Sequence, residues 1–142
     1  MPMVMWRTDV RWAECDAAGI IYHAHLFDWF SEARICWLEN HHLDYYKILR
    51  PRAIELLVRH AEVQFFHAMH PGDNIAVHIA LEGISATRAK FSYHVFNQAD
   101  AKVETSRGLT EHIFVSQGHA IRLDRQQPEL FARFQEAWSS LQ

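Results

Sequence analysis

Residues 23–38 read His23-Ala24-His25-Leu26-Phe27-Asp28-Trp29-Phe30-Ser31-Glu32-Ala33-Arg34-Ile35-Cys36-Trp37-Leu38. Leu26, Phe27, Phe30, Ala33, Trp37 and Leu38 recur at three- and four-residue spacing, which predicts a helix from about His23 with a wide apolar face. Asp28 and Glu32 lie towards its start, where the helix dipole favours anions, and Arg34 follows them. A face carrying Phe and Trp suits a helix wrapped by sheet. Asn40-His41-His42 ends it. A short amphipathic segment over 45–49 precedes Arg50-Pro51, which stops helix.

Outward from this helix the period changes. Residues 4–12 mix apolar and charged side chains with β-branched character and read as a strand, as do 58–66 and 90–97. Residues 75–81 alternate as a half-buried strand should. Residues 102–116 read as one long strand bent at Gly108. Turns are expected at 14–19, at His70-Pro71-Gly72-Asp73, over 83–87 and at Gln98-Ala99-Asp100. Residues 128–141 return to helical spacing, with Pro128 suited to a helix start. Strands joined by short turns pair antiparallel. The expected class is α+β: an antiparallel five-stranded sheet curled around one buried helix, with an additional C-terminal helix.

At 142 residues the chain is expected to form a single domain, 1–142, and 49% hydrophobic residues suffice for a core. Fourteen Lys and Arg against 17 Asp and Glu give a net charge of −3, unsuited to neutralising a nucleic-acid backbone. A small anionic ligand needs only local bases. No apolar run approaches the ~18 residues of a membrane span, and Met1-Pro2-Met3-Val4-Met5 shows no secretory pattern. Cys15 and Cys36 read as reduced thiols, so a cytoplasmic location is expected. The eleven histidines include His41-His42, His67 and His70, but neither cysteine clusters with them, and no metal is expected.

Chemistry concentrates in Glu14-Cys15-Asp16-Ala17-Ala18-Gly19-Ile20-Ile21-Tyr22-His23. Gly19 lets the backbone turn between a carboxylate and the start of a buried helix. The first N–H groups of that helix lack intrahelical acceptors and carry the positive end of its dipole. A carbonyl oxygen placed there is polarised, and an oxyanion is stabilised. Asp16 can then attack the carbonyl carbon or activate a water; an aspartate in this position also serves as an ordinary cap or turn residue. Glu14 offers a second carboxylate but reads first as a strand-end charge. If strand alternation persists, Cys15 and Asp16 face opposite sides, which sets the thiol aside as nucleophile.

The run Ala13 to Ala24, centred on Asp16-Ala17-Ala18-Gly19-Ile20-Ile21-Tyr22-His23, resembles the signature of hotdog-fold acyl-CoA thioesterases of the 4-hydroxybenzoyl-CoA thioesterase type. That signature is an acidic residue, two small residues, glycine, two apolar residues, an aromatic, then His or an aromatic. Ser31-Glu32-Ala33-Arg34 and Pro71-Gly72-Asp73 resemble the same family's central helix and a later turn. The resemblance implies the hotdog fold and Asp16 as catalytic carboxylate, nucleophile or general base. It implies the His23 backbone N–H as donor to the thioester oxygen, with Gly19 as the turn joining the two. The His23 side chain either touches the substrate or is a plain polar residue at the helix start. Tyr22 packs on the substrate side, and Phe27 with Phe30 sets the size of an acyl slot. Arg88 and Lys90 contact coenzyme phosphates, or form an ordinary solvated strand edge.

The expected reaction is hydrolysis of a small-molecule acyl-CoA thioester to acid and free CoA. CoA belongs to the substrate, and no separate cofactor is implied. Release of an acyl group from a carrier protein uses the same chemistry and stays open, as does a non-catalytic acyl-CoA-binding module. A dehydratase would need a His-Phe-Pro-like segment or an Asp/His hydratase motif, and neither is present. No nucleic-acid or membrane partner is expected. The sheet should leave an open edge and apolar surface. With the resemblance, this implies a homodimer or homotetramer with sites at the interface.

Overall fold

The computed structural model describes residues 4–98 and 103–139. Met1 to Met3, the expected turn residues Ala99 and Asp100, the strand start at Lys102 and the helix end at Leu141 lie outside these. The long elements are β1 (Val4–Asp9), α1 (His25–Asn40), β2 (Ile54–Phe65), β3 (Asn74–Ile84), β4 (Arg88–Asn97) and β5 (Glu104–Ser116). Short β6 (His119–Ala120), α2 (Leu123–Gln126) and α3 (Pro128–Ser139) complete the chain. The sheet is antiparallel in the order β1-β3-β4-β5-β2, with β6 paired to β5. The α+β architecture with a C-terminal helix is therefore as expected, and the sheet gains the two-residue β6.

Several boundaries move for local reasons. The first strand ends at Asp9, because Trp12–Glu14 turns into a 3-10 helix. The long helix begins at His25 rather than His23. The expected break at 83–87 shortens: β3 runs on to Ile84 by absorbing a bulge between Leu81 and Gly83. β2 starts at Ile54, directly after the turn at Arg50–Arg52.

The core lies between α1 and one sheet face. Alternate residues of β4, Ala89, Phe91, Tyr93 and Val95, are buried there, with Gly108, Thr110, His112 and Phe114 of β5. From α1 come Leu26, Trp29, Phe30, Ala33, Trp37 and Leu38. Phe27, expected on the buried face, is only half-buried, and Trp29 takes the interior place. Helix α3 closes the far end: Phe134 packs on Trp37 and Phe114.

Gly108 does not bend β5. Its neighbours pair in unbroken register with β2, Arg107 opposite Gln64 and Leu109 opposite Glu62. A Cβ at this position would overlap Cε2 and Cζ of Phe30. The glycine lets α1 approach the sheet, and Phe30 lies stacked on Tyr93 with ring centroids 4.1 Å apart.

Beside that stack runs a buried polar chain. Arg34 donates to the Tyr93 hydroxyl (3.0 Å), which shares a hydrogen bond with Thr110 Oγ1 (2.7 Å). Thr110 Oγ1 also lies 2.8 Å from His112 Nε2. Burial, reinforced by the Arg34 cation, pushes the His112 pKa down to about 4 from the ordinary 6.5.

Gly108→Ala should lower unfolding free energy by about 1–3 kcal/mol, because Phe30 must leave its place, measured by denaturant titration. A pH effect follows from His112. The unfolded histidine takes up a proton near 6.5 and the folded one only near 4, so stability falls as pH drops through that window. The loss is roughly 2–4 kcal/mol. Replacing His112 with Asn should flatten this part of the stability-against-pH curve; an unchanged slope would show that the ring is not held neutral.

Candidate active site

The segment between β1 and α1 is pinned to the rest of the fold at both ends. Val10 N–H donates to Asp73 O (2.9 Å), and Gly72 N–H returns a bond to Val10 O (2.8 Å). After the 3-10 turn, Cys15 and Ile21 pair as an antiparallel bridge, so residues 14–22 form a small hairpin. Tyr22 N–H donates to Glu14 O (2.8 Å), and Asp16 N–H to Ile20 O (3.0 Å). Ile21 N–H donates to Met69 O (2.9 Å), docking the returning limb.

Asp16 opens the hairpin turn. Its Oδ1 accepts from Ala18 N–H (2.9 Å), and its backbone carbonyl accepts from Gly19 N–H (3.0 Å). Gly19 has φ +77°, the left-handed region a side chain resists, and so closes the turn. Asp16 is exposed, while neighbouring Cys15 packs against the core. Partial burial, with the carboxylates of Glu14, Asp16 and Asp73, holds the Cys15 thiol above its ordinary pKa. A thiol so placed is a poor nucleophile.

The hairpin delivers the chain to the mouth of α1. The first helical N–H groups are not bare: His25 donates to Tyr22 O (3.0 Å), Leu26 to His23 O (3.2 Å) and Phe27 to Ala24 O (3.2 Å). These three-residue bonds consume the donors expected to be free. Among the described residues, none accepts from the His23 or Ala24 N–H. Asp16 and the His23 amide therefore sit on one hairpin–helix junction, close in chain and not bonded to each other. Tyr22 is exposed, its ring 4.5 Å from that of His23 and 6.0 Å from that of His25. His25 Nδ1 lies 3.0 Å from Asp28 Oδ2. Phe27 sits edge-on to Phe30 (6.1 Å).

Arg88 and Lys90 are elsewhere. The hairpin docks at the Asn74 end of β3, whereas Ala89 pairs with Ile84 at the other end, roughly 30 Å of strand away. Lys90 faces Glu111 at 3.7 Å on the sheet surface opposite α1, and Arg88 has no ion-pair partner among the described residues. A cleft of about 160 Å³ between α1 and the start of β2 is lined by Ser31, Arg34 and Tyr45, among others, and excludes Asp16 and His23. No helix among the described residues is long and apolar enough to cross a membrane.

One neighbour of Asp16 was not legible in its place. Glu14 is not a solvated charge: it is buried, accepting from Arg11 N–H (2.9 Å) and from the Trp29 indole (2.9 Å). Burial alone would raise its pKa; these bonds and the Arg11 guanidinium outweigh that and hold it below the ordinary value. Arg11 has no side-chain acceptor and so makes no capping-box pattern with Glu14; the half of that motif that forms, Glu14 accepting from the Arg11 N–H, left no distinctive signal in the sequence.

Residues 10–137 match the family model of the Thioesterase-like superfamily, and the chain belongs to that family. A 1,4-dihydroxy-2-naphthoyl-CoA hydrolase of Synechocystis sp. (strain ATCC 27184 / PCC 6803 / Kazusa) is 28% identical over 78% of this chain and 80% of its own. The structure of a DHNA-CoA thioesterase from Staphylococcus aureus superposes with TM-score 0.87 at 26% identity, covering 99% of this chain and 91% of that one. A gentisyl-coenzyme A thioesterase shares the fold, at TM-score 0.76 and 17% identity over 83% of this chain and 93% of its own. The curled sheet around α1 is thus the hotdog fold of these thioesterases.

Proposed function

We propose that the protein hydrolyses an acyl-CoA thioester to a carboxylic acid and free CoA, with 1,4-dihydroxy-2-naphthoyl-CoA the first substrate to try. The observation that carries this reading is the junction itself: Asp16 on the closed turn of the hairpin whose returning limb leads to a helix-mouth amide that no described residue satisfies, in a chain of the thioesterase-like family. The His23 N–H holds the thioester oxygen and the negative charge that develops on it. As general base, Asp16 takes a proton from water as the oxygen adds to the carbonyl carbon; collapse expels the thiolate, which recovers the proton. As nucleophile, its carboxylate displaces the thiolate to give a mixed anhydride, which water cleaves to two acids. Neither route calls for a cofactor beyond the substrate's own CoA. Cytoplasmic residence follows the same reading, since reduced Cys15 and Cys36 suit a CoA-using compartment.

Assembly belongs to the proposal. β2 is a sheet edge of 12 residues, and Leu57, Val58, Phe65 and Phe66 are exposed large apolar residues on or just after it. A second copy pairing β2 with β2 covers this edge and its apolar inner face, and brings a second wall to the acyl group. Arg88 and Lys90, remote from Asp16 in one chain, are assigned to the phosphates of a substrate held by another protomer. Arg88 is the stronger candidate, because Lys90 already faces Glu111.

Two measurements test these points. Asp16→Asn should cut thiol release from a panel of acyl-CoAs by about 10²- to 10⁴-fold while leaving the melting temperature near wild type. Turnover by that variant at the parent rate would end the assignment, and a preference for carrier-bound acyl groups would move the donor from CoA to a carrier. Sedimentation should give twice the chain mass or a multiple of it. Val58→Lys with Phe65→Lys should shift the species to monomer and abolish turnover; a fully active monomer would disprove the shared site.

A further inference from the structure

Glu14 is a costly residue to place where it is. Its side chain is 4% exposed, and the cation nearest to it, Arg11, is 76% exposed at 3.4 Å, so solvent weakens that pairing. A carboxylate is tolerated in such a place only when its oxygens are satisfied. Here each oxygen has one well-placed N–H donor: Arg11 N–H on Oε1, the Trp29 indole on Oε2, both at 2.9 Å. The two donors come from different pieces of the fold, the 3-10 turn and the second turn of α1. The backbone carbonyl of Glu14 holds a third piece, accepting from Tyr22 N–H (2.8 Å) next to His23.

We infer that Glu14 is a positioning residue of the proposed thioesterase site, its side chain clamping the Asp16 hairpin to α1 so that the carboxylate of Asp16 and the amide of His23 keep a fixed separation. This rests on the function proposed above. Glu14 touches neither substrate nor reacting atoms. It acts through Asp16, two residues on, and through the helix whose mouth bears the His23 N–H. An apolar residue could fill the same volume, but it would leave the Arg11 N–H and the Trp29 indole without acceptors and would not fix the hairpin's orientation.

Acceptor counting gives a test that a merely stabilising role does not pass. Glutamine at 14 keeps one acceptor oxygen and turns an NH₂ towards the other donor. If the oxygen serves Arg11 N–H, the NH₂ opposes the Trp29 indole N–H and pushes α1 away. Glu14→Gln should therefore lower kcat about 10- to 100-fold, with KM within about twofold of wild type. Trp29→Phe removes the opposing N–H and keeps a ring, so Glu14→Gln with Trp29→Phe should recover part of the loss in kcat. Amide hydrogen exchange should quicken at Asp16, Ile21 and Tyr22 in Glu14→Gln, with β3–β5 unchanged, and slow again in the double variant. Unchanged kcat and exchange in Glu14→Gln would overturn the inference. So would a loss of protection spread evenly over the sheet, or a double variant worse than both singles. If wild type releases no thiol from any acyl-CoA, the thioesterase reading falls by that result alone, and the clamp stands or falls on the exchange pattern.

Discussion

The ring of Phe30, held between the bare backbone of Gly108 and the face of Tyr93, sets how close α1 comes to the sheet. Distance alone does not fix a helix that buries side chains over a wide arc, because rotation exchanges one apolar contact for another. Two directional contacts stop it here. Trp29 donates to Glu14 on one side, and Arg34 donates to Tyr93 on the other. Five residues separate these positions, which places them about 140° apart around the helix axis. Hydrogen bonds that far apart fix rotation as well as translation. The mouth of α1, with the His23 amide, inherits its place from both.

The same residues explain what the sequence could and could not say. The apolar spacing from Leu26 to Leu38 located the central helix, since period is a property of the chain itself. It chose Phe27 over Trp29 for the interior because periodicity carries no knowledge of what crosses a given face. Trp29 is buried because Glu14 arrives to accept its indole N–H, and that contact spans 15 residues. Read from the sequence, the same Glu14 is a strand-end charge. Gly108 posed a similar choice: a strand glycine marks either a bend or a close approach, and only the position of Phe30 decides.

At the junction itself, the turn was legible and the donor inventory was not. Asp16 three residues before Gly19 is a local pattern, and the structure closes it with an Asp16 side-chain bond to Ala18 and a left-handed glycine. Helix ends suggest several free amides, but a tight first turn spends those of His25, Leu26 and Phe27 on carbonyls three residues back. That contraction depends on how the hairpin feeds the helix. It leaves the unspent donors at His23 and Ala24, nearer to Asp16 in the chain than any helical N–H would be.

On the proposed reading, the molecule divides its labour along the sheet. The groups that must meet with sub-ångström consistency, a carboxylate and an amide, belong to one short segment anchored at Asp73, Met69 and Trp29. Backbone donors suit this role, because a peptide N–H neither titrates nor samples rotamers. The surface that has to match the acyl group needs no such precision, and it lies towards β2, the edge where apolar side chains stand uncovered. An edge strand left to solvent is ordinarily short, charged or bulged out of reach. β2 has its bulge between Val58 and His60, yet the strand continues on either side with Leu57 and Phe65 exposed. With that face covered by a second copy, as proposed, the fit of the acyl group and the assembly of the protein become one problem, while the reacting pair is settled within each chain.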